Sequence, residues 1–306
     1  MNHRNQITIF LLAGIAVFGV IYFWPSKEPS YHGHRLSWWV GEYGNFETPH
    51  ERKTEARQAL AVIGTNAVPY LMSWIGNVDA KPLRTNDEAN FQIKMWERAW
   101  LAAAAFSALG TNAEPYIPGL KSLVADPTNG NVCVIAEYAL DHIGPDGFAA
   151  VLDVIATPGL PQRGVLMQGS EMADHIRSPN ARTLAGHEDL NFRINSIRAA
   201  PVLAKCLEDH DPFVQRCAYI LLCFSDPDST VPALTNFLAR SPQPEIRRLA
   251  TDALAKHGQD ARVAVPFLLS RSGDSDSEIR VEATNALMQI APEVLSPGHL
   301  RLSQPP

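Results

Sequence analysis

Segments that alternate apolar and polar residues between Asn-Gly or Asp-Gly turns are scarce in this 306-residue sequence, and their scarcity argues against a fold built on hairpins. Aromatic residues make up only 8% of the chain. The four cysteines, Cys133, Cys206, Cys217 and Cys223, form no C-x-x-C pair, so a zinc site of the usual spacing is excluded. All four fall in apolar helical contexts and read as small buried hydrophobes; a Cys206–Cys217 bridge between adjacent helices is possible but not implied. Basic residues are also in deficit, 26 Lys and Arg against 32 Asp and Glu, for a formal charge of −6. A duplex-binding surface needs a concentrated cationic excess to neutralise phosphates, so nucleic acid is not an expected partner. Nor is there a G-x-S-x-G elbow, a phosphate-binding G-x-x-x-x-G-K-[ST] loop or an H-E-x-x-H helix.

What the sequence does have is a repeat. Ile246–Arg247, Ala250-x-x-Ala253–Leu254 and His257–Gly258 recur 33 residues later as Ile279–Arg280, Ala283-x-x-Ala286–Leu287 and Ile290–Ala291. The same register starts at Ala56, Ala102, Ala136 and Ala218, the last of these closing on Ser225 and Asp226 where the others have a Gly at the ninth position. Positions 0, +3, +4 and +7 share one helix stripe, small then large, so a neighbouring helix can come close before a bulky side chain fills the gap. The Gly then takes a left-handed cap that stops the helix. A second helix follows, marked by a polar residue and a Pro in its first turn: Pro69, Pro115, Pro201, Pro232 and Pro266 hold that place, and Pro201 implies a seventh unit. Self-similarity at this period means a solenoid, in which each unit covers the apolar face of the one before it.

These residues resemble the HEAT repeat, in particular the short bacterial form also found in bilin-lyase-like proteins, over roughly Glu47–Leu295. The resemblance implies an all-α fold, a right-handed α-α superhelix, preceded here by one transmembrane helix. It also implies that acidic and Arg residues at the start of each first helix cross-link neighbouring units, which points to Asp211, Arg247 and Arg280. A task in protein-protein interaction follows, with no catalysis, no cofactor and no small-molecule substrate expected. The bilin-lyase likeness leaves open an enzyme acting on a prosthetic group, and the fold leaves open a nucleic-acid-binding solenoid. His50–Glu51 and His187–Glu188 are similar to pairs in iron-binding HEAT hydroxylases, but two pairs at non-equivalent places fall short of that family's four. The neck is similar to the leader of exported HEAT proteins of verrucomicrobial and planctomycete type.

The expected organisation is a tail at residues 1–6, a membrane span at 7–24, a neck at 25–46, a solenoid of about seven units at 47–296 and a flexible tail at 297–306. Ile7–Trp24 carries no charge and is about 27 Å long as a helix, enough to cross a bilayer's hydrocarbon layer. It lacks the small residues of a cleavage site, although a cleaved secretory signal is the competing reading. With so short a leading tail, the solenoid is expected on the far side of a bacterial inner membrane, in the periplasm. In the neck, Ser37 is expected to cap a short helix whose Trp38 and Trp39 pack over the first repeat, and a metal on His32 and His34 is a weaker option. Trp96 and Trp100, four apart on one helix face, read as core packing rather than a ligand platform. Thr157–Asn191 fits no unit: either it projects from the frame as a functional insertion, or it is a degenerate first helix with a loose connection. Tyr70, Trp74 and Tyr116 on the second helices, with Arg163, Arg177 and Arg182 in the insertion, are the candidate protein-binding residues.

Overall fold

The structure, a computed structural model, describes residues 28–45, 47–78, 88–128, 130–169, 190–240, 243–274 and 276–295. The span expected at 7–24 and two of the three candidate arginines, Arg177 and Arg182, lie outside them. A two-residue hairpin opens the described chain, β1 (Ser30–Tyr31) pairing antiparallel with β2 (His34–Arg35). Its turn residues His32 and Gly33 both have positive φ, 45° and 81°, as a tight primed turn requires. Helix α1 (Leu36–Gly44) follows. Ser37 does not cap it; instead Glu28, from upstream, accepts the Ser37 backbone N–H at 3.0 Å.

From there the chain folds as successive helix pairs: α2 (His50–Ile63) with α3 (Val68–Gly76), α4 (Glu88–Leu109) with α5 (Ile117–Ala125), and α6 (Gly130–Asp141) with α7 (Pro145–Ile155). Then come α8 (Arg163–Gly169), α9 (Leu190–Cys206), α10 (Pro212–Phe224), α11 (Pro227–Leu238), α12 (Pro244–Lys256), α13 (Val265–Ser272) and α14 (Ser277–Ile290). First helices touch first helices in the order α2, α4, α6, α8, α10, α12, α14, while α5, α7, α9 and α11 form the second row. The described residues are therefore an all-α solenoid, each unit leaning on its neighbours. His50–Gly76 has the length and apolarity of a membrane span, but it is α2 and α3 together, divided at Gly64 and half buried in the stack.

The small-then-large stripe is what glues the first row. Ala56, Ala59 and Leu60 are wholly inaccessible, as are Ala102, Ala105 and Phe106, and the corresponding residues of α6, α10, α12 and α14 are within 2% of it. Each buried Leu gains roughly 1.5–3 kcal/mol by leaving water, so the repeated stripe supplies the dominant favourable term. The terminating Gly behaves differently from a left-handed cap. Gly64 has φ 59° but ψ −142°, a region open essentially to glycine alone, and Gly110 and Gly258 share the positive φ. The chain thereby turns straight into a 3-10 turn (Gly64–Ala67) leading into α3. Where α10 ends without glycine, Ser225 and Asp226 link in extended form and the Asp226 side chain caps α11 by accepting from Ser229 N at 3.1 Å.

Three of the five prolines do not start helices. Pro69 and Pro266 do, whereas Pro201 and Pro232 lie inside α9 and α11. Both are solvent-facing, and the carbonyls they leave unpartnered belong to Ile197 and Asp228, which are also exposed, so water can satisfy them. In the second unit Pro115 falls within a 3-10 turn (Gly110–Tyr116) and Pro118 takes the first turn of α5.

The irregular stretch after Thr157 resolves in favour of the degenerate first helix over its described part. α8 occupies the first-helix position between α6 and α10, and its Gly164 lies so close to the Phe213 ring that a Cβ there would come within 2.2 Å. Arg163 is 4% exposed. Its guanidinium donates to Ile155 O at 2.6 Å and pairs with Asp209 at 2.5 Å, so it cross-links units and is no partner-facing residue. All four cysteines are buried and none is in a disulfide, so Cys206 and Cys217 are not bridged.

Candidate functional site

α1 does not simply close the end of the stack. It lies across both α2 and α4, and Gly44 at its end meets Leu101 of α4 so closely that a Cβ there would come within 2.4 Å of Leu101 Cδ2. Trp39 is 1% exposed and donates its indole N–H to Tyr31 O at 3.0 Å, which anchors the neck on the stack. Tyr43 adds a 2.7 Å hydroxyl hydrogen bond to Ser107 of α4. One face of α1 is thus spent on packing; its other face overhangs a cleft.

That cleft, of roughly 990 Å³, runs between α1, α4 and α6. Trp38, Trp96, Trp100 and Tyr138 line it, with Glu42 and Glu97 among its polar groups. Trp96 is 45% exposed and so is not core, against the reading from its spacing, while Trp100 is partly buried against the core as expected; together they form one wall of an open aromatic slot. Trp96 and Trp100 have ring centroids 5.6 Å apart, and Trp100 meets Tyr138 edge-on at 5.4 Å, giving a continuous ladder from one unit to the next. Trp100 Nε1 is buried and finds no acceptor among the described residues. Across the slot Trp38 stacks on His34 at 3.8 Å, while His32 stacks on Tyr31. The two neck histidines are therefore committed to different rings, and no group of metal-ligating side chains occurs among the described residues.

Two Trp residues of this region each hold a guanidinium and a carboxylate. Arg98 sits 4.0 Å from the Trp74 ring and pairs with Glu28 at 3.4 Å. Arg52 sits 5.9 Å from the Trp38 ring and 4.0 Å from Glu42. Trp74 is only 7% exposed, as is Tyr70, so neither offers an open aromatic surface to a partner; α3 packs mainly on α4 and also touches α6. Tyr116 is half-buried in the turn before α5. Trp96 and Glu97 bring a ring and a carboxylate to the cleft, whose lining contains no Lys or Arg; Lys94 and Arg98 lie with Glu97 along a neighbouring pocket.

The cross-links between units use other residues besides those the repeat resemblance implies. Asp211 caps its own helix by accepting from Phe213 N at 2.9 Å, and Arg280 donates to Asp274 O of its own loop at 2.7 Å. Arg247 does reach forward: its charge helps hold the Asp274 carboxyl below the usual range, behind two hydrogen bonds from Asp276 and Arg271. The second row is stitched by Lys121–Asp153 at 2.8 Å and Arg198–Asp146 at 3.5 Å. In the first row Tyr219 donates to Asp252, and His257 bonds Leu222 O at 2.8 Å. Burial pushes the Cys133 thiol up to about 12 and raises Cys206 and Cys223 as well, so these thiols stay protonated.

Residues 231–297, spanning most of α11 through α14, match the family model of HEAT repeats. No curated protein matched the chain. The carboxyl-terminal units are thus similar to HEAT repeats, and the units before them continue the same two-row stack.

Proposed function

We propose that the chain is a protein-binding scaffold, a right-handed HEAT superhelix held at a bacterial inner membrane by Ile7–Trp24 with the solenoid in the periplasm. The observation that carries this reading is the open, linear two-row stack ending in HEAT repeats, with an aromatic cleft on its amino-terminal units. A rigid frame of this kind presents a long surface on which many modest contacts add up to specific binding. Catalysis is left out of the reading. Protonated, buried thiols make poor nucleophiles, and the acidity of the chain disfavours phosphate backbones.

The test is cross-linking of the full chain in its native membrane fraction, followed by identification of the attached polypeptides. The expected result is a reproducible set of polypeptides and a chain that resists alkaline carbonate extraction, whereas a variant lacking residues 1–27 is extracted. Recovery of no polypeptide with either form would sink the scaffold, and equal extraction of both would sink the anchor.

A further inference from the structure

Beyond a general scaffold, the cleft between α1, α4 and α6 has a definite chemistry. Its walls are indole and phenol rings, whose faces are electron-rich, and its charged groups Glu42 and Glu97 are anionic. The chain itself shows what such a combination takes up. In the Trp74, Arg98, Glu28 set and again in the Trp38, Arg52, Glu42 set, a guanidinium lies over an indole while a carboxylate balances its charge. Trp96 and Glu97 repeat the ring and the carboxylate, exposed and lining the cleft; Lys94 and Arg98 line a neighbouring pocket with Glu97, and neither lines this cleft.

We propose that this cleft binds a basic segment of a partner polypeptide, seating an arginine or lysine side chain on the Trp96 ring with Glu97 as counter-charge. The volume fits a stretch of chain better than a lone ion, since roughly 300–1,000 Å³ is the range of sites that enclose whole ligands. The inference rests on the scaffold reading and names its partner's chemistry.

Fluorescence polarisation on the full chain in a maltoside detergent tests it, with two labelled nine-residue Gly/Ser peptides that carry either two arginines or two citrullines. Citrulline keeps the shape of arginine and removes the charge. The arginine peptide is expected to bind saturably and more tightly than the citrulline peptide, and Trp96→Ala to weaken it roughly 2- to 30-fold. Glu97→Gln should weaken the arginine peptide and leave the citrulline peptide unchanged. Val281→Ser, on the exposed face of distant α14, should change neither. Equal binding of the two peptides, or arginine binding untouched by both cleft variants, overturns the proposal. Should that happen while membrane cross-linking still recovers partners, the scaffold reading stands and only the cleft's assignment falls.

Discussion

Single residues in this chain act mainly as punctuation, and the sharpest case is Gly64. Its φ of 59° with ψ −142° lets α2 stop and the chain re-enter a helical turn immediately, with no loop between. Any side chain there meets its own backbone, so Gly64→Ala should cost about 1–3 kcal/mol. Chemical denaturation should show the loss as a lower midpoint with an unchanged slope. His257 makes a different kind of contribution, hydrogen-bonded to Leu222 O of the preceding unit and shifted below its ordinary value chiefly by burial. A depressed histidine pKa means that the unfolded chain takes up the proton first. Stability from His257 is therefore complete above about pH 6.5 and drains away as the pH falls below that, through the native pKa. Thermal melts at pH 7.5 and 5.5 should show the wild type losing more between the two than His257→Gln does. Such effects hardly show in the pattern of the repeat. The Gly itself was legible as a helix stop, but the ψ that makes it obligatory, and the carbonyl that His257 finds in another unit, depend on how two units meet.

Among the elements, α8 and α1 are the two whose places the repeat pattern leaves open. The apolar stripe that betrays every other first helix is missing from α8, and a seven-residue helix rich in Gly and Gln carries too little periodicity to be assigned. Tertiary contacts hold it instead: the Gly164 approach to Phe213, and the buried Arg163 to Asp209 pair. Removing one member of a buried pair strands the other's charge. Asp209→Ala should thus destabilise by roughly 3–5 kcal/mol, while exchanging both residues for apolar ones of similar volume should recover much of that loss. Equal losses in the single and double variants, read from denaturation midpoints, would show that shape rather than charge sets the position of α8. For α1 the difficulty is of another kind. Its tryptophans were visible as a pair, and so were Trp96 and Trp100, but sequence spacing says which residues share a helix face and not which helix lies opposite. The cleft exists because α1 crosses from α2 to α4, and Tyr138 of the third unit completes it.

At the scale of the molecule the governing fact is linearity: among the described residues the larger contacts of a unit come from its own pair or from the units beside it, and the longest reach is that of α3 to α6, two units on. That much follows from the 33-residue recurrence, because a stripe repeated at fixed spacing can be buried only by its own copies. A linear stack has no contact between its ends to lose, so damage at one end should stay there. Helix α14 is the place to test this, since it packs on α12 and α13 and leaves Val281 and Met288 exposed on its outer side. A chain ending at residue 273 removes α14 and uncovers the apolar stripe of α12, including Ala250 and Leu254. Nearest-neighbour energetics predict that α12 and α13 then lose protection while α2 to α7 keep theirs. Native-state amide exchange separates the outcomes, because protection in Ala56–Ile63 and Ala136–Ile143 should stay within a factor of about three of the full chain while that of Ala250–Leu254 collapses. If exchange instead accelerates evenly across all units, the stack unfolds as one cooperative body, and the peptide cleft at its amino end is then coupled in stability to its far end.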